Sequence, residues 1–571
     1  MMIDARRIPS GETIETEVCI VGAGPAGITL ARELIGQGFR VSLLETGGTE
    51  PDEAIQSLAE GAGDTIGDYY PGAVYMRTRR YGGTAHQWHI DLQNGKDAQS
   101  GKWGVRYTTL DPIDFEKRDW LPYSGWAISK QDLDPYYDRA HQVCQTGPYD
   151  YRTESWENGE TKRLPFNEER VTTRMFHFGS RDVFIQDYRK ELEQSGNVSL
   201  YTYATAIELL TNDAAQTVTR VKVATLEGNQ FEIAAKVVVL AMGGLEVARL
   251  LLLSDSTQKN GLGNGQDLVG RFLMDHPLVR SGVLVPSNRQ AISKLNLYDA
   301  HWSNGAMVIG KPVLSDTILR REQLLNINAA MFPVSGISKY NLLRMLLPQG
   351  RRYRSPAIES AQEVIKSLKR RQLPKNLLHH TGNLVTGLDD LIYYQWRKKP
   401  RIAQAYGLDT GGWSKLSDRE QRFNAFEVFH LTEQAPDPNN RVTLGDVRDR
   451  LGCRKLQIYW KWNDIDSRSV RRAQDIFAEE FARVGLGHLR LELDRGMPQI
   501  FLPSIHHHMG TTRMHEDSRQ GVVDATCRVH GVSNLYVASS SVFPTGGYAN
   551  PTLTIIALAI RVADQVKAVM G

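Results

Sequence analysis

The chain has 571 residues, 41% hydrophobic and 23% charged, with 68 Lys and Arg against 65 Asp and Glu for a formal net charge of +3. That length exceeds what one hydrophobic core organises, so two intimately joined domains are expected, and the balanced charge gives no case for a nucleic-acid binder. Cys19, Cys144, Cys453 and Cys527 stand far apart with no CxxC pair, which supports neither a zinc site, nor a cysteine-ligated iron–sulfur cluster, nor a disulfide framework.

The first seventeen residues, MMIDARRIPSGETIETE, contain no apolar core of a signal peptide and no twin-arginine pair followed by one. A cytoplasmic chain is therefore expected, and no apolar run has the length of a membrane span. Glu17 to Val21 is β-rich and leads into VGAGPAGITLARELIGQG and then FRVSLLETGG. The order is strand, glycine turn, amphipathic helix and strand, a βαβ unit. Gly22, Gly24 and Gly27 form GxGxxG at the head of the helix. Gly22 allows the tight turn, Gly24 lets backbone approach a pyrophosphate, and Gly27 permits close helix–strand packing. The helix N-terminus adds unpaired N–H groups and a positive dipole. Glu45 ends the second strand, where a carboxylate accepts bonds from ribose hydroxyls.

Further along, KVVVLAMGG at Lys236 to Gly244 is an unbroken run of the kind buried on both faces. Between Leu278 and Phe501 the pattern changes to alternating stretches, HWSNGAMVIG, AFEVFHLTEQ and KLQIYWKW, read as strands of a separate sheet in a substrate-binding half. Inside it, over about 339–401, Lys and Arg outnumber Asp and Glu roughly three to one, with helical periodicity. NLYVASSSVFPTGG at Asn534 to Gly547 gives a third parallel strand, and PTLTIIALAIRVADQV after it has helical apolar spacing. The cofactor domain is thus expected to assemble from discontinuous pieces.

HHHMGTTRM at His506 to Met514, GVVDATCRVHGVSNLYVASSSVFP at Gly521 to Pro544 and ANPTLTIIALAIRVAD at Ala549 to Asp564 resemble the closing motifs of the glucose–methanol–choline flavoproteins. YGGTAHQW at Tyr81 to Trp88, AMGGLEVARLLLLS at Ala241 to Ser254 and VGRFLMDHP at Val269 to Pro277 support the likeness, and the six motifs follow the family's order. The HxxGTxRM and NPT patterns look closest to its carbohydrate-oxidising branch. The resemblance implies an α/β fold: a Rossmann-like FAD-binding domain from 1–120, 171–277 and 503–571, a lid or linker at 121–170, and an α+β substrate domain with a large antiparallel sheet at 278–502. It implies FAD-dependent oxidation of a CH–OH group, on a sugar or glycoside, by hydride transfer to the flavin.

Aligned on the glycine of GTTRM, the family's active-site histidine falls at His507, a base suited to taking the hydroxyl proton. His506 and His508 are expected to project differently. Asn550 holds the family's partner position, where an amide donates to the developing alkoxide, and it also reads as a helix cap. Pro551 and Thr552 open the last helix, whose positive end would face the flavin's N1–C2=O edge. Gly82, Gly83, Thr84, Gln87 and Trp88 are expected along the isoalloxazine, and Ala206, Gly243 and Ser541 are counted with the cofactor residues. Some relatives bind FAD covalently through a histidine immediately before the tryptophan. Here that position is Gln87, and His86 points the other way in an extended segment, so the resemblance implies dissociable FAD, with His89 near it.

The motifs leave the acceptor open among oxygen, a quinone and a redox protein, and leave open a non-sugar alcohol or a desaturation. A flavin-fold protein that binds without turnover is the alternative from another class, against which the presence of both His507 and Asn550 counts. The basic segment reads either as a contact for a peripheral partner or anionic membrane, or as a solvated helix face.

Overall fold

Val18, Cys19, Ile20 and Val21 are all buried, as are Val237, Val238, Val239 and Leu240, so both runs need cover on both faces of one sheet. In the computed structural model the strand Thr13–Val21 runs parallel between Val41–Leu44 and Gln230–Leu240, with Val21 opposite both Leu44 and Leu240. The structure describes residues 1–70, 73–88, 90–91, 103–334, 338, 355–369, 372–374, 376–396, 413–494, 497–502 and 505–571.

The first sheet has eight strands, in the order Met2–Asp4, Val198–Thr202, Val41–Leu44, Thr13–Val21, Gln230–Leu240, Val218–Ala224, Thr205–Thr211, with Leu535–Val537 added in parallel on Gln230–Leu240. Helices Pro25–Glu33 and Gly243–Leu253 leave the carboxyl ends of two neighbouring strands, and the C-terminal helix Thr552–Met570 packs against the first of them. The region 121–170, expected as a lid or linker, supplies the helix Lys130–Cys144, which also packs on the C-terminal helix. There Tyr137 bonds Thr554 at 2.8 Å and Arg139 pairs with Glu33 and Asp564, each at 2.6 Å.

Among the described residues the second sheet has eleven strands, and its pairings are antiparallel. Its strands show period-two division of labour. In Ile327–Val334 the odd residues Ile327, Ala329 and Met331 pack into a core with Val470, Ile476 and Phe477 of the helix Asp464–Arg483. The even residues Asn328, Ala330 and Phe332 face a cavity shared with the first sheet's domain. Ala425–Thr432 divides likewise, with Phe426 and Val428 toward the helix and Phe429 and Leu431 toward the cavity.

Two expectations are corrected by strand pairing. Ile90–Asp91, Trp103–Tyr107 and Val171–Ser180, assigned by position to the cofactor domain, belong to the second sheet: Val171–Ser180 pairs along Ala306–Leu314. Their alternation is the same in either sheet, and only a distant partner decides between them. KLQIYWKW forms Arg454–Trp460, which pairs with Arg441–Arg448 and Ile66–Gly67 in a separate three-stranded sheet and buries Trp460 in the core of the cofactor half. Of the basic segment, helices Pro356–Lys369, Leu377–Thr386 and Leu388–Trp396 are described, and much of the remainder of 339–401 lies outside the described residues. No helix among the described residues is long and apolar enough to cross a membrane.

Candidate active site

The glycine turn is built by close approach. Gly22 has φ +103°, and a Cβ on Gly27 would lie 1.8 Å from the Gly22 carbonyl oxygen, so the helix seats directly on the turn. Gly24 differs, because a Cβ there would meet nothing within 4 Å, and it caps the helix from an ordinary extended conformation. Its open side gives onto a cavity of about 880 Å³. Glu45 is buried, its carboxylate accepting from Ala23 N at 3.0 Å and Gly47 N at 3.1 Å, while burial raises its pKa against those donors. With Ala206, Thr46 and Arg79 it also lines a smaller neighbouring pocket.

Gly22, Gly24 and Glu45 line one side of the main cavity, and Gly83, Thr84, Gln87 and Trp88 line another. Gly243, Pro551 and Thr552 join them, so with the helix capped by Gly24 three helix N-termini open onto the same space. A glycine cradle, a buried acid beside it and unpaired helix N–H groups fit a dinucleotide such as FAD. Gly82 instead makes the turn, with φ +88° and its Cα side against His86. Ser541 is turned inward, accepting from Thr512 Oγ1 at 2.6 Å, and does not line the cavity. Its neighbours Ser539 and Ser540 do. His86 is also turned away, with Nε2 bonding the Tyr81 carbonyl at 2.8 Å. His89 lies outside the described residues.

The three adjacent histidines separate as their backbone dictates. His506 has φ +68° and its Nδ1 bonds Gln87 Oε1 at 2.7 Å. His508 is buried, with Nε2 3.1 Å from Met76 Sδ, and burial lowers its pKa to about 4. His507 lies between them at the cavity. Its Nε2 is 3.4 Å from Asn550 Nδ2, and its Nδ1 is 2.9 Å from His276 Nδ1, the two rings meeting edge to face. Burial, followed by the charge of His276, holds the His507 pKa well below the ordinary 6.5. Asn550 Oδ1 is buried with no partner among the described residues.

His276 and Asp275 were not singled out by the sequence, although VGRFLMDHP contains both. Asp275 is fully buried. One carboxylate oxygen accepts from the backbone of His276 at 2.7 Å, His507 at 3.1 Å and Ile505 at 3.3 Å, and the other accepts from Tyr70 Oη at 2.6 Å. One buried anion therefore fixes the loop that presents His507. The signal for it was an acid beside a histidine directly after the apolar Phe272, Leu273 and Met274.

The family model described as GMC oxidoreductase matches residues 436–559, and an FAD binding domain model matches residues 15–54. The chain is 23% identical to the fructose dehydrogenase large subunit of Gluconobacter japonicus over 98% of each chain. It is 36% identical to the pyranose 2-oxidase of Tricholoma matsutake over 24% of this chain and 23% of that protein. Its fold aligns with a crystal structure of formate oxidase at a TM-score of 0.49 and 15% identity, over 98% of this chain and 99% of the other.

Proposed function

Starting from a chain that belongs to the GMC oxidoreductase family and is an FAD-dependent oxidoreductase, we propose that it oxidises a CH–OH group of a sugar or glycoside, with His507 as the base. The observation that carries this reading is the pairing of His507 Nε2 with Asn550 Nδ2 at 3.4 Å on the wall of the cavity. FAD, when bound, supplies the two-electron acceptor for hydride from the alcohol carbon.

Asn550 Nδ2 is a donor, so the nitrogen it faces, His507 Nε2, carries the lone pair, and His507 Nδ1–H donates to His276 Nδ1. His276 Nδ1 then accepts, and the proton of that ring sits on its buried Nε2. In this tautomer a substrate hydroxyl lying between the two heads gives its proton to His507 and keeps the Asn550 amide as donor to the oxygen left behind. Asp275, whose charge favours protonated His507, steadies the imidazolium that forms. Anaerobic bleaching of the flavin by a panel of sugars, glycosides and simple alcohols tests the reading. Bleaching by simple alcohols but by no sugar would reject the carbohydrate assignment.

FAD is held without a covalent bond in this proposal, because Gln87 offers no nucleophile and His86 is committed to the Tyr81 carbonyl. Acid precipitation is expected to release intact FAD into the supernatant, and flavin retained in the pellet would show a bond made elsewhere.

The electrons would pass on to oxygen, a quinone or a redox protein. Lys366 and Lys369 are exposed on the helix Pro356–Lys369 beside exposed Ile365 and Leu368, a surface suited to an acidic redox partner. Reversing both charges is expected to slow reoxidation by such a partner and to leave reduction by substrate unchanged. The native reaction should also weaken as salt shortens screening to about 8 Å near 0.15 M. Indifference to both treatments would assign this helix face to solvent alone.

A further inference from the structure

The strand Ala306–Leu314 carries Met307, Ile309, Lys311 and Val313 on one face, so a lysine occupies a position the period-two pattern reserves for an apolar side chain. Lys311 is 2% exposed, and its ammonium lies 4.6 Å from the centre of the Phe176 ring. Among the described residues it has no carboxylate partner. Arg106, from Trp103–Tyr107, adds a second cation near it, with Nε and Nη1 buried and unpartnered among the described residues. Asn328 is fully buried with both amide atoms unpartnered among those residues. All three line the cavity that holds His507 and Asn550, among Ala330, Phe332, Phe429 and Leu431.

Burying one cation without a counter-charge is costly, and placing a second beside it compounds the cost. The described residues supply no anion there, as the lowered pKa of Lys311, caused by burial and then by Arg106, also reflects. The dinucleotide's phosphates have their own cradle at Gly24, on the opposite domain. The missing charge therefore belongs to what enters the substrate side.

We propose that the substrate carries, besides the hydroxyl that is oxidised, an anionic group, carboxylate or phosphate, seated by Lys311, Arg106 and Asn328. This rests on the reading of His507 and Asn550 as the oxidising pair, since it names the substrate class of that site. A sugar acid or sugar phosphate meets both requirements, with hydroxyls for the His507 end and a charge for the Lys311 end.

The test uses the FAD-loaded enzyme under anaerobic conditions with D-gluconate and D-glucuronate as carboxylate probes, D-glucose 6-phosphate as phosphate probe, and D-glucose as neutral control. Half-saturation of flavin reduction is expected at about ten- to a hundredfold lower concentration for an anionic probe than for glucose. The gap between the carboxylate and phosphate arms identifies the charge carrier. Lys311→Met should raise KM for that probe by a similar factor, alter kcat much less, and so close the gap between the anionic probe and glucose, while Lys311→Arg restores it. Because Met removes an unpaired buried cation, the same variant should unfold at a higher temperature, the opposite of what a structural lysine would give. Equal use of glucose and the anions, with Lys311→Met indifferent to both, overturns the proposal. So does a variant that shifts the flavin's reduction potential with no change in KM, which would assign the lysine to the flavin. If no probe reduces the flavin, equilibrium perturbation of its spectrum still decides. Perturbation by an anion that is lost in Lys311→Met upholds the charge site while the oxidation reading fails, and absence of any perturbation overturns it.

Discussion

Replacing His507 by Ala is expected to slow anaerobic flavin reduction by about 10²–10⁴-fold while the protein keeps its FAD, because in the proposed reaction the imidazole supplies the proton acceptor and the cofactor rests on other residues. Asn550→Ala should impair the same step by roughly 3–4 kcal/mol, the cost of one organised donor to a developing oxyanion. With their heads 3.4 Å apart, the two would act on one oxygen under the proposed reading, so the double variant should be less impaired than the product of the single effects. His506→Ala is the discriminating control: it removes a ring bonded to Gln87, and reduction should stay largely intact. If His506→Ala abolished reduction and His507→Ala spared it, the base would be misassigned by one residue. The pH profile carries the sign of the environment. As the proposed base His507 would act in its neutral form, and burial, then His276, lower its pKa, so reduction should hold its rate as pH falls past 6.5 and fail only in more acid solution. An acid limb centred above 6.5 would contradict a desolvated base.

The glycine turn should give two different lesions from two formally identical substitutions. Gly27→Ala puts a methyl 1.8 Å from the Gly22 carbonyl oxygen, and helix backbone cannot yield as a side chain does. The cost should lie at or beyond the top of the ~1–3 kcal/mol range for overpacking, read as a fall in the melting temperature of the FAD-free protein and as poor flavin retention. Gly24→Ala meets no atom within 4 Å and needs no unusual backbone angle, so the FAD-free protein should melt as wild type does. Its methyl enters the space meant for the pyrophosphate, and flavin affinity should drop by at least about tenfold. Wild-type affinity in Gly24→Ala would show that the turn does not cradle the cofactor.

What could be read in advance follows from how far each signal reaches along the chain. The βαβ unit was legible because Val18 to Val21, the glycines and Glu45 lie within thirty-odd residues and each constrains its neighbours. The unbroken run at Val237 to Leu240 declared a strand covered on both faces, which the structure contains. Sheet membership was not legible for Val171–Ser180, since its partner Ala306–Leu314 is remote and a strand carries no mark of which sheet completes it. The site divides in the same way. His507, Asn550 and the glycines stand in motifs, whereas His276 matters through a ring contact with His507 that spacing does not encode. Lys311 was readable as an anomaly, a charge in an apolar alternation, but its meaning depends on Arg106 and Asn328 arriving from two other strands. Ser541 shows the reverse error, a motif residue whose neighbours face the cavity while it faces Thr512.

The parallel pairing of Leu535–Val537 with Val238–Leu240 has a consequence for how the molecule is made. A strand in the middle of the chain waits for a neighbour almost three hundred residues later, and the helix that closes the flavin cavity follows that neighbour. Chains emerge from the ribosome N-terminal end first, and pairings of such long separation form late. The nucleotide turn at Gly22 can therefore fold while the site is still open on the side of Asn550. Cofactor capture should be a post-translational event, and a nascent chain stalled before Thr552 should display an uncovered sheet and recruit chaperones rather than flavin.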